Sequence, residues 1–376
     1  MNYQILANKW RPKTFSHVIG QKYIITAIRN GLKLGRIHHT WLFHGIQGTG
    51  KTTISRLLAK SLNCKIGITH APCRTCSNCK DIEQGKFIDL FEIDAATRTK
   101  VEDMKELLDN INYLPSQGRF KVYIIDEIHM LSKHSFNSLL KIIEEPPKHI
   151  KFILATTNIE KVPKTILSRC LHFKLTSIHH NEILIRIKHI LSQENIKFEN
   201  QAIKLLSIES QGSLRDALNL TEQAISMGNE QVSTKIVEKM LRRLNSSQII
   251  KIIVALLQKD HKTILSLLEY INTIDINWEH ILIEILKSLY QIAMFKTFPE
   301  INKNNLFFEN EEENEIMCKI SKISKYIDIQ SYYKTMLIGR KELNIAPSYQ
   351  IGVEMTLLRA LNLDTTPIKI NISNNT

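Results

Sequence analysis

The segment Gly45-Ile46-Gln47-Gly48-Thr49-Gly50-Lys51-Thr52 restricts the fold of this chain more than any other stretch. It matches the G-x-x-x-x-G-K-[ST] pattern in full. A β-favouring run, Thr40-Trp41-Leu42-Phe43-His44, ends at its first glycine, and Thr52 to Leu62 places Ile54, Leu57, Leu58 and Leu62 on one side of a helix. Strand, loop and helix in that order build a phosphate cradle. Glycines let backbone N–H groups turn inward and approach phosphate oxygens closely. Lys51 would reach the β and γ phosphates, Thr52 would hold Mg²⁺, and the following helix points its positive end at the charge. The expected ligand is a nucleotide.

Phe120 to Ile125 reads as a buried strand ending in Asp126-Glu127, and Lys151 to Thr157 as another. Between them Phe136, Leu139, Leu140 and Ile143 fall at helical spacing before Pro146-Pro147 stops the helix. Strands alternating with helices predict an α/β domain with a parallel sheet covered on both faces. Acids at the carboxyl end of such a strand lie where open α/β sheets bind their ligands. Asp126 would stabilise the Mg²⁺ shell, and Glu127 would orient and polarise an attacking water, since phosphoryl transfer depends on positioning and electrostatics. Glu127 could instead cap the next helix. Thr157 would hydrogen-bond either the γ phosphate or that water. Arg169, in Ser168-Arg169-Cys170 before the strand Leu171 to Leu175, is placed to leave its own nucleotide free. Arg215 follows Ser213, an N-cap candidate with Asp216 at the capping-box position. A cation in that first turn opposes the helix dipole, which a phosphate partner would explain.

Cys64, Cys73, Cys76 and Cys79 form a C-x8-C-x2-C-x2-C series inserted between the phosphate loop and the acidic strand end. Four thiolates around tetrahedral Zn²⁺ fit the ligand number and spacing best. An iron–sulfur cluster, a C-x-x-C redox pair and buried structural thiols are the rivals. The polar, basic surroundings, Pro72 to Lys80, disfavour core thiols. Cys170 and Cys318 stand alone and read as packing residues.

After about residue 178 strand signals vanish and only helical patterns remain. His180 to Asn195, Gln201 to Gln211, Ser213 to Met227 and Ser233 to Leu241 suggest a small helical bundle. The expected division is a nucleotide-binding α/β domain over 1–178 with the cysteine insert at 64–79, a helical domain over 179–242, an all-helical domain over 243–363 and a tail over 364–376. The acidic segment Glu309 to Glu315 reads as a solvated loop.

The 376 residues suffice for several cores, and 43% apolar with 23% charged residues is an ordinary globular balance. Nothing resembles a membrane span or secretory leader, so a cytoplasmic location with reduced thiols is expected. Lys and Arg outnumber Asp and Glu by 50 to 37, a net charge of +13 that favours a polyanion such as DNA. Lysine, isoleucine and asparagine are all abundant, a bias that an AT-rich genome produces by itself, so the charge is weak support.

Motifs in order then carry a family resemblance across nearly the whole chain. They are Lys9-Trp10-Arg11-Pro12, Val18-Ile19-Gly20-Gln21, Gly35-Arg36-Ile37-His38-His39, the phosphate loop, the cysteine series and Glu92-Ile93-Asp94-Ala95-Ala96. Asp126-Glu127-Ile128-His129-Met130-Leu131, Glu144-Glu145-Pro146-Pro147, Ser168-Arg169-Cys170 and Leu337 to Leu343 continue the series. The chain resembles the gamma/tau family of bacterial DNA polymerase III, the ATPases of the clamp loader. The resemblance implies an AAA+ P-loop domain with a zinc-knuckle insert, a helical lid and an all-α collar that assembles subunits into a hetero-pentamer containing several copies. It also implies Lys51 and Thr52 as the Walker A pair, Asp126 and Glu127 as the Walker B pair, Thr157 as sensor 1 and Arg215 as sensor 2. Arg169 would be an arginine finger acting in trans on a neighbour's ATP, and Val18 to Gln21 would border the adenine.

Implied cofactors are ATP, Mg²⁺ and Zn²⁺. Implied partners are the other loader subunits, the sliding clamp, primer-template DNA and the single-stranded-DNA-binding system, at the nucleoid. The family's long form carries further C-terminal domains for the polymerase core and the helicase; this chain stops soon after the collar, which puts those contacts in doubt. A nonhydrolysing scaffold subunit is opposed by the intact Lys51-Thr52 and Asp126-Glu127, and a branch-migration helicase by the cysteine insert.

Overall fold

The computed structural model describes residues 4–97, 111, 113–229, 231–242, 244, 246–274, 276–298 and 311–365. The chain forms two compact units, Met1–Thr234 and Lys235–Thr376. The sequence pattern draws its boundaries at 178 and 242, whereas the break between compact units falls after Thr234 and keeps residues 179–234 with the nucleotide-binding segment.

The first unit begins with α1 (Leu6–Lys9), α2 (Lys22–Lys33), β1 (Thr40–His44), α3 (Lys51–Asn63) and α4 (Ser77–Gln84). It continues with β2 (Leu90–Asp94), β3 (Lys121–Asp126), α5 (Lys133–Glu144), β4 (Ile150–Thr156), α6 (Lys164–Leu167) and β5 (Leu171–Lys174). Among the described residues the strands form one sheet in the order β2-β3-β4-β1-β5, with every pairing parallel. Side chains alternate across it. Trp41, Phe43, Val122 and Ile124 join Ile24, Ile28, Ile54 and Leu58 of α2 and α3 on one face. Leu42, Tyr123, Ile125 and Leu154 join Phe136, Leu139 and Ile166 of α5 and α6 on the other. Burial on both faces is why these strands read as continuous apolar runs. β2 was not legible beforehand: it is an edge strand with Phe91 and Glu92 partly exposed.

The chain then forms α7 (His180–Gln193), β6 (Lys197–Phe198), α8 (Asn200–Glu209), α9 (Leu214–Met227) and β7 (Gln231–Val232). The expectation of helices alone after residue 178 is thus corrected, because β6 and β7 pair in parallel. A two-residue ladder is too short to impose a side-chain period. The N-terminal segment is clasped by this bundle: Leu6 N–H donates to Glu222 (2.7 Å), and Glu194 accepts from Lys9 Nζ (2.6 Å) and Trp10 Nε1 (2.7 Å).

The second unit is helical: α10 (Thr234–Met240) leads into α11 (Ser246–Gln258), α12 (His261–Asn272), α13 (Trp278–Thr297), α14 (Glu311–Ile323), α15 (Tyr326–Glu342) and α16 (Tyr349–Leu361). Its core is built on α13, whose Leu282, Ile285, Leu289 and Ile292 meet Ile329, Tyr332 and Met336 of α15 and Val353 and Leu357 of α16. The expected acidic loop is corrected in part: the helix α14 begins at Glu311, and residues 309–310 lie outside the described set. Most of the expected tail, 366–376, also lies outside it. Among the described residues no helix is long and apolar enough to cross a membrane.

Candidate nucleotide-binding site

The phosphate loop leaves the carboxyl end of β1 and enters α3 through Gly50, which is left-handed at φ 105°. Gly48 is also left-handed, at φ 76°, and a Cβ there would lie 1.9 Å from Ser213 Oγ. Only glycine lets the loop turn this way and lie against the start of α9. Lys51 is 6% exposed, and its Nζ donates to the carbonyls of Gly45 (2.8 Å) and Ile46 (3.0 Å). Burial lowers its pKa, while Glu127 and then Asp126 raise it. Thr49 Oγ1 donates to Ile46 O at 2.8 Å and tightens the turn.

Thr52 Oγ1 donates to Asp126 Oδ2 at 2.7 Å, so the hydroxyl and carboxylate expected to share Mg²⁺ already converge from elements that are far apart in sequence. Hard oxygen donors at one point are what Mg²⁺ takes. Glu127 turns left-handed at φ 49° directly after β3. Its Oε2 accepts from the N–H and Oγ1 of Thr157, both at 2.9 Å. Thr157 is therefore brought to Glu127 rather than to the cavity wall.

A cavity of about 280 Å³ joins these groups. The loop from Gln47 to Thr53, with Asp126 and Glu127, lines one side, and Val18, Ile19, Ile178, Leu214 and Leu218 give an apolar wall. Of the expected loop ligands, Gly45 and Ile46 lie behind the lining and act through their carbonyls on Lys51. Arg215 lines the cavity from the first turn of α9, where Ser213 caps the helix by accepting from Asp216 N–H at 3.2 Å.

Trp10, Arg11, Pro12 and Asp94 also line the cavity, and sequence reasoning assigned none of them a role there. Burial lowers the Arg11 pKa, Arg56 lowers it further, Glu92 opposes and Arg215 adds to the depression. A guanidinium held against other cations is suited to an anionic ligand. Asp94 pairs across the sheet with Asp126. Its segment, Glu92 to Ala96, was among the motifs carrying the resemblance, which was the available signal.

Arg169 is elsewhere. It follows α6, pairs with Glu144 Oε1 at 2.9 Å, donates to Thr165 O at 2.9 Å and does not line the cavity. The cysteines gather at the end of α3: Cys64 is its C-cap and Cys76 the N-cap of α4. Their sulfur atoms all lie within 4.8 Å of one another, with Cys64–Cys73 at 3.6 Å and Cys73–Cys79 at 4.0 Å. A tetrahedron of thiolates at the usual Zn–S distance has edges of about 3.8 Å, so the four fit zinc. The N–H of Cys76 donates to Cys73 Sγ and the N–H of Cys79 to Cys76 Sγ, both at 3.4 Å. The Cys76 amide and Thr75 draw the Cys73 pKa down to about 5, whereas burial pushes Cys79 up. The cysteine segment is anchored by buried Lys60, which bonds Glu83 of α4 (2.6 Å) and Lys13 O (2.7 Å).

Three families match consecutive parts of the chain: DNA polymerase III, delta subunit, over residues 20–179; DNA polymerase III clamp loader subunit, ATPase lid domain, over 182–230; and DNA polymerase III subunits gamma and tau domain III over 232–373. The chain is 60% identical over 370 residues to DNA polymerase III subunit gamma of Buchnera aphidicola subsp. Baizongia pistaciae, covering 98% of this chain and 100% of that one. It is 52% identical over 364 residues to DNA polymerase III subunit tau of Escherichia coli, covering 96% of this chain and 56% of tau. Among solved structures, the Thermotoga maritima RuvB Holliday junction branch migration motor aligns with a TM-score of 0.48 and 22% identity over 66% of this chain and 79% of that one, too loosely to bear on function. With a parallel sheet, phosphate loop, lid and gamma/tau helical region in one chain, the protein belongs to the DNA polymerase III gamma/tau family of AAA+ clamp-loader subunits.

Proposed function

We propose that this chain hydrolyses ATP to drive loading of the sliding clamp onto primed DNA. The observation that carries the proposal is the convergence of Lys51, Thr52, Asp126 and Glu127 on one cavity, with Thr52 and Asp126 in direct contact at 2.7 Å. Lys51, Arg215 and Arg11 would bind the phosphates. Thr52 and Asp126 would hold Mg²⁺, which supplies charge neutralisation for phosphoryl transfer when bound. Glu127, held by Thr157, would orient the attacking water, and the apolar wall from Val18 to Leu218 would take the base.

Arg169 lies on the surface against Glu144 and would complete a neighbouring subunit's site. Cys64, Cys73, Cys76 and Cys79 would hold structural Zn²⁺ away from the reaction. Residues 1–178, 179–242 and 243–363 would serve as motor, lid and collar of a hetero-pentamer acting on the clamp and primer-template DNA in the cytoplasm.

The test is ATPase activity of the assembled loader with and without clamp and primed DNA. Turnover should rise with both. Arg169→Ala should leave ATP affinity nearly unchanged and cut stimulated turnover by about 10³-fold or more, as arginine fingers do. A rate indifferent to clamp and DNA would reject the coupling, and normal stimulated turnover in Arg169→Ala would reject the finger.

A further inference from the structure

We propose that His129 is a positioning residue that aims the Glu127 carboxylate, its Nδ1–H held by Thr156 beside Oε2. The inference rests on the reading of Glu127 as the water-polarising acid. Glu127 occupies a left-handed backbone conformation, φ 49°, that costs a residue with a side chain about 1–2 kcal/mol. Such a conformation persists where surrounding contacts hold it. Among the described residues, every hydrogen bond and ion pair of its carboxylate falls on Oε2: the Thr157 N–H and hydroxyl at 2.9 Å each, and His129 Nδ1 at 3.3 Å. The other oxygen is thereby left to the cavity that Glu127 lines.

The His129 side chain is 11% exposed, and its Nδ1 also lies 2.9 Å from Thr156 Oγ1. That hydroxyl donates to Asn158 O at 3.1 Å and accepts from Asn158 N–H at 3.1 Å. A hydroxyl has one proton, so with that proton on Asn158 O it offers the ring only a lone pair. Nδ1 must then carry hydrogen, and a carboxylate oxygen 3.3 Å away demands the same tautomer. The ring N–H therefore donates to Thr156 Oγ1 and lies beside Glu127 Oε2, a close polar contact rather than a second hydrogen bond. Thr156 also accepts Gly45 N–H at 3.2 Å through its carbonyl, so one residue at the end of β4 ties the phosphate loop to the acid's support.

The experiment measures clamp- and DNA-stimulated ATPase of the full chain assembled with the other loader subunits. Glu127→Gln should abolish turnover while retaining ATP affinity; turnover in that variant would overturn the reading of Glu127 and this inference with it. His129→Gln and His129→Ala should lower kcat by about 10- to 100-fold, the range seen when a supporting contact or a small misplacement is at stake, with KM within about twofold. His129→Asn should recover most of kcat, because its amide N–H falls where Nδ1–H was, whereas that of Gln falls nearer Nε2. If Glu127→Gln is inactive but the Gln and Ala variants turn over like the parent, or if Asn is as impaired as Gln, the positioning role is wrong. Should His129→Ala fail to fold, the two amide variants decide alone.

Discussion

Replacing Gly48 with alanine tests the contact between phosphate loop and lid. The left-handed φ of 76° costs a residue with a Cβ about 1–2 kcal/mol. The new methyl would also lie 1.9 Å from Ser213 Oγ and 3.0 Å from its Cβ. Ser213 cannot withdraw freely, because its hydroxyl caps α9 through Asp216 N–H, a contact worth about 1 kcal/mol. The two costs sum to about 2–3 kcal/mol, or about 30- to 150-fold in ATP affinity if the loop can relax only by leaving its binding conformation. Calorimetric titration with a nonhydrolysable ATP analogue reads this directly. Gly48→Ala combined with Ser213→Gly removes the overlap but keeps the φ cost, and glycine is an adequate N-cap. The double variant should regain roughly half the lost binding energy, a non-additivity expected only of residues in contact. Unchanged affinity in Gly48→Ala, or an additive double variant, would refute the reasoning.

Lys151 lies 3% exposed near the start of β4, with its Nζ 3.2 Å from His39 Nδ1 and 5.2 Å from the Phe120 ring centroid; burial pulls its pKa down to about 8. The charged form is thus disfavoured in the folded state, a penalty present in full below pH 8 and relieved as pH rises towards the unfolded value near 10.5. Lys151→Met should be more stable than the parent by about 2–4 kcal/mol at pH 7, with the advantage shrinking between pH 8 and 10.5 in paired urea titrations; a pH-independent difference would contradict this. Metal analysis should find about one zinc per chain. Chelation should make residues 64–79 sensitive to proteases while ATP affinity holds, since no cysteine lines the cavity; equal protease resistance of a metal-free preparation would count against zinc.

Much of the motor was legible in the chain. β1 covers the run read as a strand, Thr40 to His44, and Ser213 caps its helix as its position implied. Such features depend on neighbours a few residues away, so local spacing reports them. The edge strand β2 and the short β6–β7 ladder depend on backbone pairing with remote segments and leave little side-chain period. Asp94 escaped notice for the same reason: its place beside Asp126 is a matter of strand order. His129 stood in plain view three positions after Asp126, yet its tautomer and target depend on Thr156, a residue of another strand.

By itself the sequence predicted a phosphate cradle at Gly45 to Thr52, acids at a strand end and four thiols spaced to share a metal, because each signal is a short run whose geometry the backbone dictates. Only the tertiary structure decided that Thr52 bonds Asp126 directly, that Arg11 and Trp10 line the cavity, that the start of α9 packs on Gly48 and that Arg169 pairs with Glu144. Those contacts join residues far apart along the chain. They exist because a parallel sheet packed on both faces brings the carboxyl ends of its strands to one edge, and spacing within any single segment cannot encode that.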